Sequence, residues 1–485
     1  MRVNAMKKLL LPLVSALALA ACTVGPNYAR PESPQASAGA FLGADNPAFS
    51  QAEPAAGWWR LYQDPVLDQL VEDAFAHNTD LRVAAANLDR ARALLRETRA
   101  GRLPQVRLGA GASYGRVPET QAAPGADRED SSFDAGLSVS YEVDLFGRVR
   151  RGVEAGRADV AAEAAARDAV RVLVAAETAR AYADAAAAAE RLEVAEHSLA
   201  LIDRTRQITA RRFEAGRGTG LDVARVTSLS EQQRASLSPL RAERDGALFR
   251  LAALTGRAPA ALSPAAGARR TILRLDRPIP VGDGMQLLAR RPDIREAERR
   301  LAASTARIGV ATADLYPRVT LGGEVGATGP SLGSLFTGGP FRWLLGSLIN
   351  WSFTDQETVR ARIRAAEASS AADLARFDNA VLTALRETET ALSVYRNEID
   401  RRAALTAARD AAARAAELER LRLREGRSDS LAVLDAERTL AAAEAALADS
   451  DARLVSNQID LFRALGGGWQ VEGPGLPQGE RRSLR

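Results

Sequence analysis

At two places in this sequence, a helical pattern of apolar residues changes to an alternating pattern at a proline. Around the second place, Leu301, Ile308 and Leu315 recur every seven residues, and apolar residues alternate with small or polar ones after Pro317. A weaker version of the same change occurs at Pro104. Proline ends a helix but is accepted at the first position of a strand. The sequence therefore predicts, twice, a long helix that leads directly into a strand.

These two places belong to a longer internal duplication. Three pairs of turn or break residues recur at spacings of 210 or 213 residues: Gly216 and Gly426, Gly256 and Gly466, and Pro104 and Pro317. We predict a first repeat over residues 58–257, a linker over 258–284, a second repeat over 285–468 and a tail over 469–485.

Each repeat is expected to contain a β-hairpin with one apolar face. The first strand follows Pro104, and a polar loop over residues 117–132 separates it from the second strand. The other expected strands cover residues 133–143, 317–327 and 343–353.

Two long helices should follow each hairpin. No proline occurs between residues 146 and 215, which predicts a helix about 100 Å long at about 1.5 Å per residue. Uninterrupted helical patterns of this length are typical of coiled coils. A second helix is expected over residues 221–255 with a kink at Pro239. In the second repeat, the turn between the two helices is expected at residues 425–428.

Four strands per chain are too few to close a barrel, and an open sheet edge is unstable in lipid. Each strand has about the ten-residue length that a tilted strand needs to cross a membrane. Three copies of the chain would supply twelve strands, enough for a closed barrel with a lumen. We therefore expect an α+β membrane protein in which three chains share one barrel and the long helices continue it.

The first 21 residues are typical of a secretion signal. Three basic residues precede an apolar run over residues 9–21, which is too short to cross a membrane as a helix. The tetrad Leu19-Ala20-Ala21-Cys22 resembles the lipobox of bacterial lipoproteins, in which the cysteine becomes the acylated first residue. The resemblance implies that Cys22 is acylated and, because Thr23 is not an aspartate, that the protein is transported to the outer membrane. An ordinary cleavage site with a chance cysteine is the alternative. The segment over residues 22–57 is rich in Pro, Gly, Ala and Ser without a period, which predicts an extended segment.

Composition argues against nucleic-acid binding and against an enzyme. The pI of about 9.5 owes much to the leader, because residues 22–485 contain 62 basic and 61 acidic residues. His77 and His197 are too few and too far apart for a typical metal cluster. No catalytic triad or phosphate-binding loop stands out. The sequence predicts no catalytic residue, metal site, cofactor or nucleic-acid partner.

Several segments together carry a family resemblance: Arg290–Gly323 (RRPDIREAERRLAASTARIGVATADLYPRVTLGG), Trp58-Trp59, Cys22, Asp144–Gly147 and Glu425–Arg438 (EGRSDSLAVLDAER). They resemble the outer-membrane factors of tripartite efflux systems, of the TolC and OprM type, in the NodT lipoprotein branch. The resemblance covers residues 20–470. It implies a homotrimer with a 12-stranded outer-membrane β-barrel and an α-helical coiled-coil tunnel in the periplasm of a Gram-negative bacterium.

The resemblance also implies partners and a passive role. The trimer would sit in outer-membrane lipid and dock to a periplasmic membrane-fusion adaptor. An inner-membrane pump of the resistance-nodulation-division class would supply the energy. The duct itself would passively export small molecules such as drugs or toxic compounds.

Two site residues are transferred from the family to the second helix turn, and a third is inferred from its helical spacing. Members of the family narrow the periplasmic end of the tunnel with an apolar residue and an aspartate, and the matching positions are Leu431 and Asp435. Arg438, one turn on, is a candidate gate latch that pairs with Asp435 or with an acid on a neighbouring helix. Asp222 in the first turn is a weaker candidate, because the repeat places Arg225 opposite Asp435.

Two other functions compete with this interpretation. Within the family, the chain could be the outer-membrane outlet of a type I protein-secretion system. Outside the family, a lipid-anchored periplasmic coiled-coil scaffold would explain the helices but not the two hairpins. The RRPD segment and the lipobox favour the efflux branch but do not identify the cargo.

Overall fold

The computed structural model describes residues 23–32, 39–116, 118, 120, 128–275, 277–337, 341–351, 353–425, 427–428 and 430–469. These residues form two compact units. The first comprises the described chain before Glu32 together with Asn87–Ala164 and Glu296–Asp378. The second comprises Glu32–Ala86, Ala165–Arg295 and the described chain from Asn379 onward. Within the described ranges, no helix is both long and apolar enough to cross a membrane.

The helices and strands follow the predicted order. The strands are β1 (Phe49–Ser50), β2 (Gln105–Arg116), β3 (Glu129–Val143), β4 (Ile279–Pro280), β5 (Arg318–Gly329) and β6 (Phe341–Asn350). The α-helices are α1 (Pro65–His77), α2 (Thr79–Ala100), α3 (Arg148–Glu214), α4 (Gly220–Ala235), α5 (Leu237–Leu254), α6 (Gly284–Arg290), α7 (Pro292–Ala313), α8 (Gln356–Arg424) and α9 (Ser430–Ala464).

A four-stranded antiparallel sheet in the first unit confirms the two predicted hairpins. The strand order is β2-β3-β5-β6, so β2 and β6 are its edges. Every residue of β2 and of β6 is exposed in the single chain, including Trp343, Leu345 and Ile349. The sheet therefore presents large apolar side chains along an edge that one chain leaves open.

Two of the predicted strand boundaries were wrong by three or more residues. Strand β3 begins at Glu129 rather than at residue 133, because the polar residues before Phe133 continue the ladder and Glu129 pairs with Arg116. Strand β6 ends at Asn350. Beyond it, the indole Nε1 of Trp351 donates a hydrogen bond to the carbonyl oxygen of Leu315 at 3.1 Å. Alternation of apolar residues alone did not mark either end.

A compact turn joins β3 to α3 in the first unit. The carboxylate of Asp144 accepts hydrogen bonds from the backbone N–H groups of Val149 (3.0 Å) and Arg150 (2.9 Å) in the first turn of α3. Phe146 stacks on Tyr316 with ring centroids 4.5 Å apart. These contacts explain why the Asp144–Gly147 segment is distinctive: it caps the helix and packs the strand-to-helix junction.

The core of the second unit surrounds the Trp58-Trp59 pair. Both indoles are buried, and Trp58 stacks on Phe462 of α9 at a centroid distance of 4.8 Å. The short parallel pair of β1 and β4, which the sequence did not predict, lies beside this core. The aromatic pair is therefore a packing feature of this core.

The RRPD signature fixes the end of the last helix. The guanidinium of Arg291 donates to the carbonyl oxygen of Ala464 (2.9 Å), to Glu387 (2.9 Å) and to Asp293 (2.6 Å). Next to Ala464, Gly466 has a φ of +70°, and a Cβ there would lie 2.9 Å from the Cγ of Arg291. The signature thus works as a structural clamp within the second unit.

The helix expected over residues 221–255 is divided. α4 ends at Ala235 and α5 begins at Leu237. Pro239 occupies the first turn of α5, where its missing N–H has no helical partner to lose. The predicted kink at Pro239 is therefore a break just before it, at Ser236.

Candidate functional site

A narrow cleft lies where the two helix turns of the second unit meet, and we call it the tip cleft. Its lining residues come from three helices: Thr205 and Thr209 of α3, Asp222, Arg225 and Val226 of α4, and Leu431 and Leu434 of α9. The structure therefore brings the candidate Leu431 next to the equivalent turn of the first half.

Leu431, Asp435 and Arg438 share one face at the start of α9, because they are spaced by four and three residues. Leu431 is half exposed, and the side chains of Asp435 and Arg438 are 66% and 71% exposed. Arg438 Nη2 donates a hydrogen bond to Asp435 Oδ1 at 2.9 Å. Of the two partners expected for Arg438, a single chain thus shows Asp435. A pair this exposed contributes little stability. Both charged groups are accessible to solvent.

Asp222 has a structural role at the start of α4. Its carboxylate accepts hydrogen bonds from the backbone N–H of Thr219 (3.1 Å) and from the Thr219 hydroxyl (2.7 Å). The Thr219 hydroxyl in turn accepts from the backbone N–H of Asp222, which completes a capping box. These bonds from Thr219 hold the pKa of Asp222 below its usual range. Asp222 is therefore occupied with helix capping.

A partly buried ion pair that the sequence did not predict holds the α8–α9 helical hairpin together near its tip. Arg420 of α8 binds Glu437 of α9 through two hydrogen bonds of 2.6 and 2.7 Å. The Glu437 side chain is only 3% exposed, and its hydrogen bonds raise the pKa of Arg420. The sequence shows basic residues on α8 and acidic residues on α9, which was the available signal for such a pair. Which residue pairs with which depends on the register between the two helices.

A second link that the sequence did not predict joins α3 to α4. The hydroxyl of the buried Ser230 donates to Asp203 Oδ1 at 2.6 Å, and this hydrogen bond lowers the pKa of Asp203. Both residues lie at nearly the same distance along the chain from the middle of the first turn, so hairpin symmetry could have paired them. Each helical hairpin therefore has its own polar fastener close to its tip.

Cys22, the predicted lipidation site, lies outside the described residues, as does Gly426 in the second turn. The chain that follows the cysteine is firmly held in the first unit. The backbone N–H of Val24 donates to the carbonyl oxygen of Phe146 (3.2 Å), and the buried guanidinium of Arg151 donates to Val24 O (3.2 Å) and Asn27 Oδ1 (2.7 Å). Thr23 consequently lies at the strand-to-helix junction.

Comparisons with known proteins agree with this architecture. The toluene efflux pump outer membrane protein TtgC of Pseudomonas putida is 32% identical over 471 residues, which cover 96% of each chain. Outer membrane protein OprJ of Pseudomonas aeruginosa is 32% identical and is matched over 94% of this chain and 95% of its own. The solved structure of the outer-membrane channel OprN superposes with a TM-score of 0.87 at 38% identity, covering 93% of this chain and all of that one.

The profile of the family described as outer membrane efflux protein matches the sequence twice, over residues 70–257 and 285–467. Together these segments span most of the chain. They include the sheet, the long helices and both sides of the tip cleft. The chain therefore belongs to the outer membrane efflux protein family, a transport component of the bacterial outer membrane.

Proposed function

We propose that this chain is the outlet duct of a tripartite efflux pump, in which three copies close a 12-stranded barrel that an α-helical tunnel continues into the periplasm. The observation that carries the proposal is the open four-stranded sheet, whose exposed edge strands and apolar side chains require partners to be stable in lipid. Membership of the efflux family supports the same assembly. The alternative scaffold would have no use for this sheet.

The duct is passive and works with two partners, a periplasmic adaptor and an inner-membrane pump of the resistance-nodulation-division class. Its cargo class is small organic compounds, in keeping with the toluene efflux pump in the name of TtgC. The two segments matched by the family profile support an internal repeat with boundaries at 58–257 and 285–468. Residues 1–21 are the signal, and Cys22 is the acylated first residue that adds a lipid anchor to the barrel.

The tip cleft is the regulated end of the tunnel. Around a threefold axis, three Leu431 side chains would form an apolar constriction and three Asp435 carboxylates an acidic ring that favours cations. Arg438, bound to Asp435 within one chain, partly neutralises this ring and acts as the latch. Opening requires the helices to move apart, which widens the Leu431 and Asp435 rings without unfolding either helical hairpin.

Single-channel recording of the purified protein in planar bilayers tests the proposal. The wild type should give a small, cation-selective conductance, and Asp435→Asn should reduce the cation selectivity. Arg225→Gln, on the opposite turn of the tip cleft, is the matched control, and its conductance should stay cation-selective. A wild type without conductance would contradict the duct, and an unchanged selectivity in Asp435→Asn would contradict the acidic ring.

A further inference from the structure

A cavity of about 520 Å³ lies in the second unit between the linker and three long helices, and we call it the linker cavity. Glu190 and Glu193 of α3 line one side, and Arg270 and Arg274 of the linker line another. Helices α8 and α9 complete the walls. Its volume falls within the range of small-molecule sites, about 300–1,000 Å³. The residues of the tip cleft take no part in it.

The linker is held rigidly where it borders the cavity. Glu190 Oε2 accepts a hydrogen bond from the backbone N–H of Ile272 at 2.5 Å. Arg269 donates to Asp64 (2.8 Å) and to the carbonyl oxygen of Thr271 (2.6 Å). The backbone that carries the two cavity arginines is therefore fixed before any ligand arrives, which lowers the entropic cost of binding.

Most charges around the linker cavity are already satisfied inside the protein. Arg402 forms an ion pair with Asp451, Arg409 lies 2.8 Å from Asp410, and Glu444 accepts a hydrogen bond from Ser198 at 2.8 Å. These groups therefore already have a charged or polar neighbour within the protein.

Three charged groups of the cavity remain without such a partner. The guanidinium groups of Arg270 and Arg274 and the carboxylate of Glu193 make no hydrogen bond or ion pair with any residue in the part of the chain that the structure describes. The cavity thus offers two positive groups, carried on a fixed backbone, and one negative group to a ligand.

We propose that the linker cavity binds a peptide end that carries two carboxylates and one ammonium group, the chemistry of a cell-wall stem peptide that ends in diaminopimelate. Guanidinium groups bind carboxylates through paired, charge-assisted hydrogen bonds, so Arg270 and Arg274 each take one carboxylate. Glu193 takes the ammonium group and disfavours ligands that carry only negative charge. The inference rests on the proposed function only in placing this unit in the periplasm, where such peptides occur.

Calorimetric titration of the full-length protein in detergent tests this. The probe is the tripeptide L-Ala-γ-D-Glu-diaminopimelate, compared with the tripeptide that has lysine in place of diaminopimelate and so lacks one carboxylate. The wild type should bind the first peptide more tightly. The double variant Arg270→Gln, Arg274→Gln should weaken that binding about 10- to 100-fold, the range for lost charge-assisted hydrogen bonds.

Two further variants separate specific binding from general attraction. The wild type should bind the peptide more tightly than a form acetylated on the side-chain amine of diaminopimelate, and Glu193→Gln should remove this preference. Arg277→Gln, an exposed linker arginine outside the cavity lining, should bind like the wild type. Absence of binding to the wild type would overturn the inference. So would equal affinity in the double variant, or equal affinity of the wild type for the lysine peptide.

Conductance of the same samples in planar bilayers distinguishes this inference from the proposed function. A preparation that conducts but does not bind the peptide refutes the linker cavity alone. A preparation that binds the peptide but does not conduct refutes the duct and supports the cavity.

Discussion

Breaking the ion pair between Arg420 and Glu437 should loosen the tip of the second helical hairpin. In Arg420→Ala the buried carboxylate of Glu437 loses both hydrogen bonds. Removing one member of a fully buried pair costs about 3–5 kcal/mol. Because the Arg420 side chain is 31% exposed, water reaches the site, and the smaller range for hydrogen bonds to a charged group, about 1.5–3 kcal/mol, applies.

Hydrogen exchange followed by mass spectrometry measures this loss locally. Amides of α8 and α9 beside the turn should exchange about 10- to 100-fold faster in Arg420→Ala, since about 1.4 kcal/mol corresponds to a factor of ten. Arg422→Ala is the matched control, because Arg422 binds Glu419 at 2.7 Å on the same helix but its side chain is 58% exposed. It should change the exchange rates little.

Two outcomes decide the interpretation. The double variant Arg420→Met, Glu437→Leu leaves no buried charge, so it should recover most of the lost protection. If Arg420→Ala exchanges no faster than Arg422→Ala, the pair does not fasten the hairpin, and the reasoning from burial is refuted.

The remaining predictions concern the hydrogen bond between Ser230 and Asp203 and the contact between Gly466 and Arg291. Ser230→Ala should destabilise the α3–α4 hairpin by about 1–2 kcal/mol at pH 7, measured by hydrogen exchange. Because Ser230 lowers the folded-state pKa of Asp203, this stabilisation is present above the unfolded value of about 3.9 and is lost as the pH falls through the folded value. A destabilisation by Ser230→Ala that is equally large at pH 3 would contradict this pH dependence. Gly466→Ala should cost more stability than Gly216→Ala in thermal unfolding: both glycines have φ near +70°, but only at Gly466 would the new Cβ press on Arg291. Equal losses of stability in the two variants would contradict this prediction, because they would show that Arg291 moves away from the new Cβ at no cost.

Long local patterns made much of this fold predictable. A proline-free stretch and a seven-residue repeat depend only on neighbours along the chain, so the sequence predicted α3 as one continuous helix. The strand end at Glu129 was missed because polar residues there are paired by a neighbouring strand and not by an apolar core. Side-chain links across a turn, such as Arg420 with Glu437, depend on a helix register that composition does not encode.

The candidate sites show the same limit. The family resemblance supplied Leu431 and Asp435, helical spacing supplied Arg438, and the structure places all three on one exposed face. The linker cavity could not be predicted, because Arg270 and Glu193 line one cavity only through the tertiary fold. What a sequence pattern reveals is the element, whereas a site depends on how several elements meet.

Native mass spectrometry of the protein extracted from outer membranes tests the central claim most directly, because it counts the chains in the complex and weighs each one. We expect a complex of three copies, each beginning at Cys22 and carrying acyl groups. A monomer would contradict the account, since a single four-stranded sheet with two open edges would then have to be stable in the membrane on its own.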